Sequence, residues 1–215
     1  HDALPIYLMR IITISREFGS GGREIGKRLA GQLGVDYYDK EIITAIAGKK
    51  GLDEDYVSDI LEHHGWQNVP LTFCRSLTTV TVVRSVKADL LVEQTRVIES
   101  IAKAGKDCVI VGRNADELLR EHHPFNVFVC ADMESKIRRC MERAEKNENL
   151  SRKELERKIR SIDKNRAEVR EIITHKGWGV HTSYHLTVNA TDWNLKELTS
   201  AVAAFAESWF RRTNP

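Results

Sequence analysis

The sequence predicts a three-layer α/β domain: a mainly parallel sheet of five strands covered on both faces by helices. Three observations carry this expectation. Short β-branched apolar runs alternate with segments of helical period along the chain. The first run, Ile11-Ile12-Thr13-Ile14, leads straight into a glycine-rich turn and then a helix. No repeat, low-complexity stretch or linker divides residues 9–215, so a single domain is expected there.

Ile11 to Ile14 is nearly all apolar and reads as a strand inside a parallel sheet, not at its edge. The turn spans Gly19 to Gly22, and Ile25, Leu29, Ala30 and Leu33 mark a helix face closed by Gly34. Val35 to Tyr38 is a weaker strand. A helix follows from Lys40 to about Ala47, and another begins at Asp53, a suitable N-cap. Residues 65–76 lack periodicity and read as a loop. Val86, Leu90, Leu91, Val97, Ile98 and Ile101 keep helical spacing up to a stop at Gly105. Cys108 to Val111 is a buried strand, Asn114 to Glu121 a short helix ended by Pro124, and Asn126 to Cys130 a further strand. Asp132 can cap the next helix. Ser151 and Glu154 have the spacing of a capping box, opening a charged helix with a thin stripe of Leu155, Ile159, Ile162, Val169 and Ile173. Leu186 to Ala190 is the last strand. Leu195, Leu198, Val202, Phe205 and Trp209 define the closing helix.

Composition narrows the function. The 215 residues suffice for a full core, and 41% apolar with 30% charged residues is ordinary for a globular domain. A net charge of +2, with acids and bases interleaved, does not indicate a general nucleic-acid binder. A phosphate enzyme needs only a few cations converging on one cleft. Cys74, Cys108, Cys130 and Cys140 form no C-x-x-C pair and read as reduced thiols, favouring a cytoplasmic setting. No apolar run approaches a membrane span, and residues 1–8 are too short for a signal peptide. They read as an extension, because Met9 directly precedes the first strand.

Phosphate binding needs backbone N–H groups converging on one point, with a helix terminus adding its positive dipole end. Phe18-Gly19-Ser20-Gly21-Gly22-Arg23-Glu24 lies where such a loop belongs; a ligand-free strand–helix turn is the alternative. A literal G-x-x-x-x-G-K occurs at Gly21 to Lys27, with Arg28 in the Ser/Thr place. That register puts Lys27 inside the helix, about 200° around from Ile25 and facing solvent. The preferred register ends the loop at Gly22. Gly22 then occupies the usual lysine position and Glu24 the usual hydroxyl position. Gly19, Ser20, Gly21, Gly22, Arg23 and Glu24 are the expected nucleotide-binding residues. Arg23 is expected to supply the missing cation, with Arg16 as its rival.

Read in full, ITISREFGSGGREIGKRLA resembles the opening of the cytidylate kinase-like family. Cys108-Val109-Ile110-Val111-Gly112-Arg113-Asn114-Ala115-Asp116 resembles its second glycine motif, and Ile162-Asp163-Lys164-Asn165-Arg166 its charged lid motif. Trp178-Gly179 with Tyr184-His185-Leu186-Thr187-Val188-Asn189 resembles its final strand. The resemblance implies a P-loop nucleoside monophosphate kinase fold with an acceptor region and a mobile helical lid, here residues 151–177. It implies phosphoryl transfer from ATP, with Mg²⁺, to an acceptor such as cytidine monophosphate or another small phosphate- or hydroxyl-bearing molecule. By the same resemblance Arg113 holds the acceptor phosphate, Arg160 and Arg166 reach phosphates, and Asp163 orients an arginine or the acceptor. Arginine suits these roles because its fork binds phosphate bidentately and stays charged.

Plainer readings stand beside these. Arg113 could be a surface ion pair, and a charged helix often presents a solvated, ion-paired face. Asp39 reads first as a helix cap. His63-His64 and His122-His123 read as loop or surface histidines, not metal ligands. The chain departs from the family pattern in having no loop lysine, no Ser/Thr hydroxyl at the Mg²⁺ position of the loop, Val111 in place of an Asp before Gly-Arg, and His185 in place of a further Asp. Mg²⁺ ligands stay unassigned. A nucleotide-sensing domain without catalysis is therefore the alternative function.

Overall fold

The computed structural model describes residues 9–62, 77–143 and 150–213. Five strands, β1 (Ile11–Arg16), β2 (Asp36–Tyr38), β3 (Cys108–Val111), β4 (Phe125–Cys130) and β5 (Leu186–Asn189), form one sheet in the order β2-β3-β1-β4-β5. Every pairing is parallel. β1 is central and wholly buried, as its apolar run requires. β2 is short and half-exposed because it lies at an edge.

The helices are α1 (Gly22–Leu33), α2 (Lys40–Lys50), α3 (Glu54–Glu62), α4 (Leu77–Lys103), α5 (Ala115–Leu118), α6 (Met133–Arg143), α7 (Arg152–Thr174) and α8 (Leu195–Thr213). Successive strand residues point to opposite faces, and this splits the core in two. Ile11, Cys108 and Ile110 join Ile42, Ile46, Leu90 and Ile98 beneath α2 and α4. Ile12, Ile14, Val109 and Val111 join Ile25, Leu29, Val202 and Ala206 beneath α1 and α8. Each fully buried Ile or Leu contributes about 1.5–3 kcal/mol.

Local signals act as expected in several places. Asp53 Oδ1 accepts the Tyr56 N–H, and Asp132 Oδ1 accepts the Ser135 N–H. Ser151 and Glu154 complete both halves of the capping box. The expected helix from Asn114 is shorter than its span: α5 ends at Leu118 and a 3₁₀ turn covers Arg120–His122. Phe205, counted on the buried stripe of α8, is 44% exposed, although it stacks on Phe125. The loop expected at residues 65–76, with Cys74 and His63-His64, lies outside the described residues. His122 and His123 are exposed.

His185 directly precedes β5 and lies among aromatic rings, stacked on Trp209 with centroids 4.1 Å apart. Its Nδ1 accepts the Asn126 N–H at 3.0 Å, which requires that nitrogen to be unprotonated. Burial lowers its pKa below the usual 6.5. Its stabilising contribution is therefore present above about 6.5 and lost as pH falls toward the folded value, because the unfolded chain takes up a proton first. Urea unfolding at pH 8 and pH 5.5 should show this loss, and His185→Gln should reduce it. Equal pH slopes in the two proteins would count against it.

Candidate active site

The glycine loop leaves β1 at its carboxyl end, where ligands of open α/β sheets bind. The Glu17 N–H donates to Val129 O at 3.0 Å, and Ser20 Oγ donates back to Glu17 O at 2.8 Å. Gly19 and Gly21 take φ values of 77° and 90°, conformations costly for any residue with a side chain. A Cβ at Gly19 would also meet Lys136 O and Cys140 Sγ at 3.0 Å, so α6 presses directly on the loop. The helix opens at Gly22. The glycine of the literal motif, Gly26, instead lets α1 approach Val111, and Lys27 is exposed.

Buried and half-buried charges from two helices, α6 and α7, fasten this loop. Asp163, on α7, accepts the Phe18 N–H at 2.7 Å. Burial raises its pKa, while that N–H, Arg166 and Lys136 pull it back down. Lys136, on α6, lies 2.9 Å from Glu17 and 3.4 Å from Asp163. Arg139, one turn further, donates to Ser20 O at 3.3 Å and also to Ala190 O, joining the loop to the end of β5. Lys136 and Arg139 escaped the sequence reading. A signal existed: with Arg143 they recur at intervals of three and four residues, flanking Ile137 and Cys140.

Asp39 corrects the expectation of a helix cap. It stands at the N-cap position of α2 but makes no side-chain cap bond. Its carboxylate, 2% exposed, lies 2.5 Å from Arg23 Nε and 3.7 Å from Arg16 Nη2. A buried carboxylate gains more from two guanidiniums than from backbone N–H groups that water can satisfy.

Two cavities meet here. One, of about 290 Å³, runs along Gly19, Gly21 and Gly22 to Arg139, Arg143 and Lys158. The other lies beyond β3 and is lined by Gln94, Arg113, Asn114 and Trp178. Arg16 and Arg166 line both. The second cavity's rim bends through Gly112, Arg113 and Asn114, all with positive φ. For Arg113 and Asn114 that conformation costs about 1–3 kcal/mol each, strain of a kind that clusters at functional sites. Gln94 Nε2 holds the bend by donating to Arg113 O at 3.2 Å.

Of the residues singled out in the sequence, Gly19, Gly21, Gly22, Arg23, Arg113 and Arg166 line these cavities, and Asp163 and Ser20 brace the loop. Arg160 lies elsewhere: it is 67% exposed and pairs with Glu156. Successive steps of three on a helix each fall back about 60°, so Arg160 stands about 120° from Arg166. Glu24 pairs with Arg28 at 2.8 Å and with Arg143. Among the described residues no group of three or more His, Cys, Asp or Glu side chains could hold a metal ion.

An all-parallel β2-β3-β1-β4-β5 sheet, with a glycine loop after its central strand, is the P-loop kinase fold. Solved structures agree. An uncharacterized protein from Eubacterium ventriosum ATCC 27560 superposes with a TM-score of 0.67 at 23% identity, covering 93% of this chain and 99% of that one. Shikimate kinase from Bacteroides thetaiotaomicron superposes at 0.56 with 14% identity, covering 93% and 99%. Shikimate kinase from Acinetobacter baumannii, in complex with shikimate, superposes at 0.53 with 16% identity, covering 93% and 94%. At these identities the likeness is one of fold. No curated protein matches the sequence. The chain belongs to the cytidylate kinase-like family, matched over residues 11–192. Among the described residues no helix is long and apolar enough to cross a membrane.

Proposed function

We propose that this protein transfers the γ-phosphoryl group of ATP to a nucleoside monophosphate, of the cytidylate type or a similar small phosphate-bearing acceptor. One observation carries the choice. The cavity beyond β3 is lined by Arg16, Arg113 and Arg166 and, among the described residues, by no carboxylate. A hydroxyl acceptor needs a base to take its proton. An ionised acceptor phosphate carries no such proton and needs only positioning and neutralisation, which arginines provide.

In this scheme Gly19 to Gly22 and the start of α1 receive the donor phosphates, and Arg113 holds the acceptor phosphate. An acceptor oxygen bonds to the γ-phosphorus as the bond to the β–γ bridging oxygen breaks, and ADP leaves with that oxygen. Arg166, facing both cavities, spans the charge that develops between them. Asp163 acts indirectly by fixing the loop at Phe18. Residues 151–177 form the lid-type segment of a single domain, and Arg160 joins the site only if the outer part of α7 closes inward. Mg²⁺ would ride chiefly on the phosphates and water. Reduced Cys108, Cys130 and Cys140 fit a cytoplasmic setting.

A second reading has its own support. With Glu24 engaged by two arginines and no hydroxyl at the position that usually serves Mg²⁺, the domain could bind ATP as a sensor without transfer. Screening nucleoside monophosphates and hydroxyl acceptors for ADP release decides between the two. Turnover with a monophosphate and none with its nucleoside is the expected result. ATP-induced thermal stabilisation with no turnover on any acceptor would favour the sensor.

A further inference from the structure

Resting on the phosphotransfer reading, we infer that Arg16 takes the place of the absent loop lysine. The cation has moved from the helix side of the glycine loop to its strand side. The space itself shows the exchange. A Cβ at Gly22 would lie 2.5 Å from Arg16 Cβ and 3.0 Å from its Cγ. The volume in which a lysine stem would begin is thus filled by the stem of Arg16. Neither contact is with a flexible tip, so neither can swing away.

The guanidinium then continues toward β3. A Cβ at Gly112 would collide with Arg16 Nη1. Gly22 is matched to the fixed stem of Arg16, while Gly112 leaves room for its guanidinium, a tip that could shift. Gly112 also needs its freedom for a φ of 74°. Asp39 steadies the far end of the side chain at 3.7 Å. Arg166 donates to the Arg16 carbonyl at 3.0 Å and so fixes the backbone from which the side chain departs.

Position completes the case. Arg16 is 8% exposed and lines both the glycine-loop cavity and the arginine cavity. That boundary is where a transferring phosphoryl group would sit between donor and acceptor. A loop lysine serves the β- and γ-phosphates from that vicinity as a point charge. A guanidinium presents a planar fork and can hold two phosphate oxygens together. Arg23, the other candidate, lies on the rim with 47% of its side chain exposed and its Nε on Asp39.

The test compares ATP affinity, by calorimetry, and ADP release across variants. Arg16→Met keeps the apolar stem and removes the charge; it should weaken ATP binding about 100-fold, and Arg23→Ala about tenfold or less. The paired change Arg16→Gly with Gly22→Lys clears the stem and returns the cation to the helix side. It should bind ATP within about tenfold of the wild type. Arg16→Met binding within about threefold of the wild type, or the paired variant binding no better than Arg16→Met, would overturn the inference. Wild-type binding of ATP without ADP release would remove the transfer reading alone. No wild-type binding of ATP or tripolyphosphate would remove both.

Discussion

Arg170→Ala should destabilise the protein by about 3–5 kcal/mol, because it leaves a buried carboxylate without its partner. Arg170 Nη1 and Asp116 Oδ2 lie 2.6 Å apart, and the two side chains are 1% and 2% exposed. The guanidinium also stacks on Tyr184, 5.5 Å from the ring centre. The pair ties the inner end of α7 to α5, directly behind the strained Gly112–Asn114 bend. Burial already raises the Asp116 pKa against the pull of Arg170. Removing Arg170 leaves burial opposed only by a backbone hydrogen bond. A carboxyl whose folded pKa is raised loses stability as pH climbs through the window above its unfolded value of about 3.9. The variant should therefore be least impaired in mild acid and most impaired near neutrality. Melting near pH 7 should fall by about 10 °C or more. Adding Asp116→Asn should recover part of the loss. A melting temperature within a few degrees of the wild type near pH 7 would show that the pair is not a principal tie.

Arg166→Ala should instead lower kcat/KM by about 10²–10³ with little change in melting temperature. Arg166 faces both cavities, lies 3.4 Å from Asp163, and stands over the Phe18 ring at 5.8 Å. Its removal leaves Asp163 still bound to the Phe18 N–H and near Lys136, so the loop keeps its brace. The loss then reports the charge between donor and acceptor together with the lost hold on the Arg16 carbonyl. Arg166→Lys should recover only part of the rate, because a point charge cannot reproduce the fork. Lys27→Ala, on the exposed face of α1, should leave the rate unchanged. Steady-state kinetics with a working acceptor measures all three. A loss under tenfold in Arg166→Ala would remove Arg166 from the transfer site.

Much of the architecture is written in short stretches of the chain. Ile11 to Ile14, Cys108 to Val111 and the Ser151–Glu154 box depend on neighbours a few residues away, so spacing alone reveals them. The glycine loop belongs to the same class, and the vacancy at the lysine position is visible in Gly22 itself. The site's charges are different. Lys136 meets Asp163 across 27 residues, and Arg139 meets Ser20 across 119. Asp116 and Arg170 are separated by 54. Local spacing marks at most the helix face that carries Lys136 and Arg139; it does not reveal the distant partners these charges meet.

Asp39 and Arg16 mark the boundary most clearly. At Asp39 a local rule suggests a cap, yet the folded chain brings two guanidiniums to that carboxylate, and desolvated charge outweighs a bond that water can replace. At the loop, the order of residues establishes that the usual lysine position carries no cation. Which cation answers the phosphates depends on the room that Gly22 leaves for the Arg16 stem and Gly112 for its guanidinium. Those positions come together only when β3 docks beside β1, because steric exclusion acts over a few ångströms in space and is blind to separation along the chain.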